Sequence, residues 1–324
     1  MLSTKRENRA YLRVSGRERS VKVNNLRLYL ILVAAMLAIA VAACGEKPSK
    51  APAVATQTIV DDLNRTVTVP KRITRIVSLA PNLTESVFAV GAGDRLVGVT
   101  TFCNYPEQAR SIAKVGDTMT PNIETIIALK PDVVLVSTAS QIESFMKTFD
   151  SNRIAVYVTD PKSLEDVFAE MKHFGQMFGT EEQAEKLVDS LRVRVTAAET
   201  AVKQTEPTRV FVQISKEPLF TIGRSSFLNG ILAHAGAISV TADVESAYPK
   251  LSKETALALK PDAIILSDSE DNREPNDVFN GSPAVKNGRV FKINADIISR
   301  PGPRLVDAIE QIGRSLHPDK FSAR

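Results

Sequence analysis

Apolar positions recur along this chain at two periods. TIVDDLNRTVTVP (58–70) alternates and breaks at Asp-Leu-Asn-Arg, which predicts a small hairpin turning at Asn64. RIVSL (75–79) is a short strand-type run. Asn82-Leu-Thr-Glu85 then has the form of a capping box, and Leu83, Ser86, Val87 and Val90 share a helical face that stops at Gly91. LVGVT (96–100), VVLVS (133–137) and IAVYV (154–158) are further strands with helices between them. Such βα alternation predicts a mainly parallel sheet.

At Thr180 the period changes. Ala184, Leu187, Val188, Leu191, Val195, Ala198 and Val202 hold one stripe at i, i+3, i+4, i+7 spacing, with Thr180 and Gln183 placed to box the N-terminus. At 1.5 Å per residue the stripe corresponds to a helix roughly 36 Å long, enough to bridge two lobes. Alternation resumes with RVFVQI (209–214), LFTI (219–222), a helix near 225–235, AISVT (237–241), RVFKI (289–293) and a last helix near 304–316.

One unit occurs twice. ETIIALKPDVVLVS (124–137) returns as ETALALKPDAIILS (254–267), identical at eight of fourteen positions with a constant offset of 130. Asn122 and Ser252 stand at equivalent N-cap positions, and Pro131 and Pro261 stop each short helix before the next strand. The expected fold is α/β: two similar lobes with mainly parallel sheets, joined by one long rigid helix, with a ligand cleft between the strand-end loops. The boundaries expected are an N-terminal lobe over 58–179, a backbone helix over 180–206 and a C-terminal lobe over 207–324.

The N-terminus stands outside this pattern. Residues 28–43, LYLILVAAMLAIAVAA, form an uncharged run preceded by eight Lys or Arg between Lys5 and Arg27. A basic flank before an apolar run shorter than a spanning helix is the arrangement of a secretory signal, covering 1–43; a signal anchor left uncut is the alternative. GEKPSKAPAVATQ continues as a tether, 44–57 with its cysteine. Without residues 1–43 the chain holds 33 basic and 35 acidic residues, a net of −2, so the high pI belongs to the export segment and gives no reason to expect nucleic acid as a partner.

Catalytic patterns are absent from the sequence. Gly91-Ala-Gly93 follows a helix and lacks the third glycine of a dinucleotide loop, so it reads as a helix terminus. Gly223-Arg-Ser225-Ser-Phe227 departs from the nucleophile elbow at its last position. His173, His234 and His317 lack metal-ligand spacing and read as surface or packing residues. Asp268-Ser-Glu270-Asp271 reads as a solvated loop without the calcium pattern. Neither an enzyme nor a resident cofactor or metal is expected. The strand-end loops instead carry Phe102-Cys103-Asn104-Tyr105, Phe220, Tyr248 and Asp296-Ile-Ile-Ser-Arg300-Pro-Gly-Pro-Arg304. Aromatic rings with a few fixed polar groups suit a large, partly apolar ligand, and equally suit loop packing around a surface ion pair.

RIVSLAPNLTESVFAVGAGDRLVGVT, CNYP, NIETIIALKPDVVL, KETALALKPDAIIL and RPGPRLVDAI together resemble the substrate-binding proteins of bacterial ABC importers for ferric siderophores, haem and cobalamin. NYPEQAR, EPLFTIG and AYPKLSKE most resemble the cobalamin-binding members. The resemblance implies that Tyr105, Phe220 and Tyr248 hold a corrinoid, that Asp296 and Arg300 form the polar group at the cleft floor, and that Glu124 and Glu254 meet arginines of a permease working with its ATPase. Each glutamate also lies in the first turn of a helix, where a carboxylate is favoured by roughly 0.3 to 1 kcal/mol without any partner. Val41-Ala42-Ala43-Cys44 is similar to the lipobox of bacterial lipoproteins, implying lipidation of Cys44 and attachment to a membrane outside the cytoplasm; Cys103 is then left without a disulfide partner. The sequence departs from the cobalamin binders by having no tryptophan, with Thr118 and Ser137 where large aromatics are expected. Fewer rings imply weaker corrinoid binding, or a ferric siderophore or haem as the ligand.

Overall fold

The computed structural model describes residues 55–138 and 143–321, with Tyr29 and Met36 from the N-terminal segment. Cys44 and nearly all of the 28–43 run lie outside the described residues. The chain divides into Met1–Val54 and Ala55–Arg324, and the second unit carries every strand named here.

Strands β1 (Thr56–Val60) and β2 (Thr66–Pro70) form the antiparallel hairpin, and Asn64 turns it in the left-handed region at φ 58°. The first strand begins at Thr56, two residues inside the segment expected as tether. Buried Asp61 organises the turn, accepting the backbone N–H groups of Leu63 and Arg65 and pairing with the Arg65 guanidinium at 2.5 Å. It also accepts Val158 N–H while Asp62 N–H reaches Val158 O at 3.1 Å, so the hairpin covers the open edge of the neighbouring sheet.

That sheet contains β3 (Ile76–Ser78), β4 (Leu96–Val99), β5 (Val133–Ser137) and β6 (Ala155–Thr159), all parallel, in the order β4-β3-β5-β6. The second sheet contains β7 (Thr208–Gln213), β8 (Ala237–Ser239), β9 (Ala263–Asp268) and β10 (Val290–Asn294), also parallel, in the order β10-β9-β7-β8. Counted from the first strand of each sheet, the two orders are the same. Strand side chains alternate between faces, so Val133 and Leu135 enter one core while Val134 and Val136 enter another. In the second sheet Val210 and Val212 share the first core, and Phe211 faces a third. Both faces are covered, as parallel sheets require.

The α-helices of this unit, in chain order, are α1 (Pro81–Ala89), α2 (Ile123–Ala128), α3 (Glu143–Ser151), α4 (Leu164–Phe178), α5 (Glu181–Val202), α6 (Leu228–His234), α7 (Lys253–Leu259), α8 (Pro283–Lys286), α9 (Ala295–Ile298) and α10 (Leu305–Leu316). The long stripe is α5, 22 residues, and its buried Ala184, Val188, Leu191, Val195 and Ala198 belong to the core shared by both sheets.

The repeated unit is reproduced in detail. Asn122 and Ser252 accept Thr125 N–H and Thr255 N–H as side-chain caps. Each helix ends on a lysine in the left-handed region, Lys130 at φ 47° and Lys260 at φ 45°, immediately before the proline. Asp132 N–H and Asp262 N–H then bind Arg75 O and Arg209 O, and the same two arginines donate to Leu129 O and Leu259 O at the helix ends.

Four expectations change. Helix α1 has Ala80 as its N-cap with no side-chain cap bond, so Asn82 and Glu85 do not form a capping box; both lie inside the helix, buried and turned toward the second half. Thr180 caps α5 without a side-chain bond, and Gln183 packs against Gly91 instead. LFTI forms no strand, only isolated bridges from Phe220 to Ser215 and Lys250. Helix α6 starts three residues later than the expected 225, at Leu228. The histidines take the packing roles expected of them where they are buried or paired: His317 Nε2 meets Gly236 O, and His234 Nδ1 meets Glu199 at 2.7 Å.

Candidate functional site

The site is assembled where the strand ends of the two halves meet. In the first half, β3 runs directly into α1. Ser78 Oγ donates to Ala80 O, Thr84 Oγ1 reaches both Ser78 Oγ and Cys103 Sγ, and Thr100 pairs with the same sulfur. These short polar links fix α1 and bury Cys103 beneath the loop that follows β4. They leave Phe102, Asn104 and Tyr105 on top of that loop, with Phe102 and Tyr105 exposed. In the second half, Asn294 caps α9 by accepting Asp296 N–H. The chain then crosses Arg300-Pro301-Gly302-Pro303-Arg304 into α10, whose Leu305, Val306, Ala308 and Ile309 are in the core.

Across this junction lies a closed polar network. Glu85, with its side chain 1% exposed, accepts Arg304 Nε at 2.7 Å, Arg304 Nη2 at 2.6 Å and Arg300 Nη1 at 2.9 Å. Arg300 Nη1 also donates to Asn104 Oδ1 at 2.9 Å, and Arg300 Nη2 pairs with Asp296 Oδ1 at 2.5 Å. Asn104 Nδ2 closes the ring onto Asp296 Oδ2 at 2.8 Å, and Asn82 Nδ2 donates to Pro301 O at 3.2 Å. The Arg304 guanidinium lies 4.2 Å from the centroid of the Tyr105 ring. Burial disfavours the charge on Arg304, but the Glu85 carboxylate outweighs it and raises the guanidinium above its usual value.

Tyr105, Asp296 and Arg300 are therefore brought together, with three residues to which sequence reasoning gave no role at the junction: Glu85, Asn104 and Arg304. Phe220 and Tyr248 take no part in the ring and lie on two adjacent segments of the second half. Thr221 N–H binds Pro249 O and Gly223 N–H binds Ala247 O, which hold the segments side by side. Burial raises the Tyr248 phenol, partly offset by its hydrogen bond with Ser226. Ser137, at the end of β5, is buried. Glu124 and Glu254 are exposed in the first turns of α2 and α7 and take no part in the ring. Glu254 is held below the usual carboxylate range by its own backbone N–H and by Ser252.

Residues 76–297 match the periplasmic binding protein family. The chain belongs to that family. It is 34% identical over 308 residues, 90% of this chain and 96% of the relative, to an uncharacterized ABC transporter substrate-binding lipoprotein of Bacillus subtilis. The crystal structure of the periplasmic vitamin B12 binding protein of Vibrio cholerae superposes with a TM-score of 0.66 at 29% identity, covering 78% of this chain and 99% of that one. A periplasmic haem binding protein of Pseudomonas aeruginosa, at 24% identity and a TM-score of 0.68 over 78% of this chain and 94% of that one, shares the fold. This periplasmic binding protein is thus a substrate-binding protein of the ABC importer type, and its relatives are binding proteins, not enzymes.

Proposed function

We propose that this protein captures a corrinoid outside the cytoplasm, tethered by a lipid on Cys44, and delivers it to an ABC permease and its ATPase. The observation that supports the choice of ligand is the charge balance of the polar network that contains Asp296 and Arg300, the residues read as the cleft floor. Arg300 and Arg304 face Glu85 and Asp296, two charges of each sign, already paired within the protein. A corrinoid edge of neutral amides can add hydrogen bonds to such a floor without bringing a net charge. The propionates of haem, or an anionic iron chelate, need an uncompensated cation there, and a buried charge without one is costly. In this reading Tyr105, Phe220 and Tyr248 supply apolar contact, Asp296 and Arg300 form the floor, and Glu124 and Glu254 dock on the permease. The V. cholerae relative, named for vitamin B12, points the same way.

The second reading is a ferric siderophore or haem ligand, which the missing tryptophans favour. Calorimetry on the fragment from Lys47 with cyanocobalamin, cobinamide, haemin and several ferric siderophores separates the two. Corrinoid binding with no response to haemin or siderophores supports the proposal, and the reverse overturns it.

A further inference from the structure

Glu85 does more than neutralise charge. We propose that it is the latch that fixes the two sheet-bearing halves against each other, and a positioning residue that aims Arg300, Arg304 and, through Arg304, Tyr105. The second role rests on the proposed corrinoid cleft; the first does not.

The carboxylate belongs to the first half. Glu85 sits on α1, which leaves β3 after two residues and is held by the Ser78, Thr84 and Cys103 links, so it moves with the first sheet. Its partners lie 215 and 219 positions later. Arg304 is the residue on which α10 begins, and α10 packs against β10, α6 and α9 of the second half as well as against α5. A displacement between the halves therefore acts directly on the bonds to Glu85. The carboxylate takes a parallel pair of donors from Arg304 and a third from Arg300, a geometry satisfied by only a narrow range of relative positions.

Burial sharpens this. Arg300 and Arg304 side chains are 13% and 16% exposed, so separating them from Glu85 strands the Arg304 guanidinium and takes one carboxylate from Arg300 in a poorly solvated junction. The arginines differ in what else holds them. Arg300 keeps Asp296 and Asn104 if Glu85 is lost, whereas Glu85 is the carboxylate that binds Arg304. Loss of Glu85 should free Arg304 first, and with it the stacked Tyr105. Asn82 Nδ2 to Pro301 O is a weaker link parallel to the first.

The test measures the distance between halves by pulsed electron paramagnetic resonance, with spin labels at Lys172→Cys on α4 and Lys286→Cys on α8, both exposed, in the full chain purified in detergent. The wild-type background should give a narrow distribution and Glu85→Gln a broader one, with cyanocobalamin dissociating roughly tenfold faster or more. Because Glu85→Gln leaves an excess of buried positive charge and can fail to fold, Glu85→Gln/Arg304→Gln serves as the second variant: it restores charge balance and should fold, yet still broaden the distribution. A distribution as narrow as wild type in a folded variant overturns the latch and leaves Glu85 as a stabiliser of the junction. The distance arm contains no ligand, so its result stands whichever ligand the binding panel identifies. Normal dissociation with a broadened distribution overturns the positioning role alone.

Discussion

Tyr105 lies with one face of its ring against the Arg304 guanidinium, 4.2 Å from the centroid, while the residue remains 48% exposed. One face meets the guanidinium while about half of the residue stays open to solvent, so the ring itself, more than its phenol, is expected to be the useful part. Tyr105→Phe should bind cyanocobalamin as wild type does, and Tyr105→Ala should weaken binding by about 1 to 3 kcal/mol with little change in melting temperature. Calorimetry and a thermal scan on the same samples check both.

Glu124 and Glu254 lie 130 positions apart at corresponding places in the two repeats, each exposed. Reversal of both to Lys should spare ligand affinity and abolish ligand-stimulated ATP hydrolysis by the reconstituted permease, since loss of a close interfacial charge pair costs roughly 2 to 5 kcal/mol. Unchanged hydrolysis by the double variant would reduce both residues to partners of their helix dipoles.

The fold was legible because its signals are local and repeated. Alternating strands, the α5 stripe and the 124–137/254–267 duplication each need only neighbouring residues to be recognised, and Asn64, Asn122 and Ser252 took the turn and cap positions their chemistry suits. Glu85 shows what was not legible. A Thr-Glu step near a helix start looks like a cap because that pattern is written over four residues, whereas its partners at 300 and 304 are brought near only by the folded chain. Its one sequence signal was a carboxylate among the apolar positions Leu83 and Val87, both fully buried. Arg75 and Arg209 escaped for a related reason: they play the same part in the two repeats at a different offset from the repeated segment, so no single alignment shift superposes them.

Glu170 of α4 makes stability depend on pH. It is buried among Ser86, Thr159, Tyr157 and Asp62, and desolvation first, then the Asp62 charge, push its carboxyl up to about 8. The unfolded chain has the ordinary value of 4.5, so between these values the folded state holds a proton that the unfolded state lacks. Its contribution to stability is therefore complete below about pH 4.5, declines as pH rises and is gone above about pH 8. Urea unfolding at pH 5.5, 7 and 8.5 should show that decline, and Glu170→Gln, which keeps the neutral form at every pH, should flatten it.

Processing at Cys44 is tested on the protein made in a bacterial envelope. Intact mass should show a chain beginning at Cys44 with acyl groups, and Cys44→Ser should give an unprocessed or released chain without lipid. A wild-type mass that begins before residue 44 would be decisive against the anchor.

The core that passes through α5 has a consequence for how the two halves can exist. Val133 and Leu135 of the first sheet, Val188 and Val195 of α5 and Val210 and Val212 of the second sheet share a single continuous cluster. Neither half owns it. A cut in the chain after Val202 would leave each fragment with one wall of that cluster bare to water, so the pieces should stick or unfold instead of surviving as two miniature proteins. What the chain repeats is a pattern of caps, strands and prolines; the capacity to fold belongs to the pair.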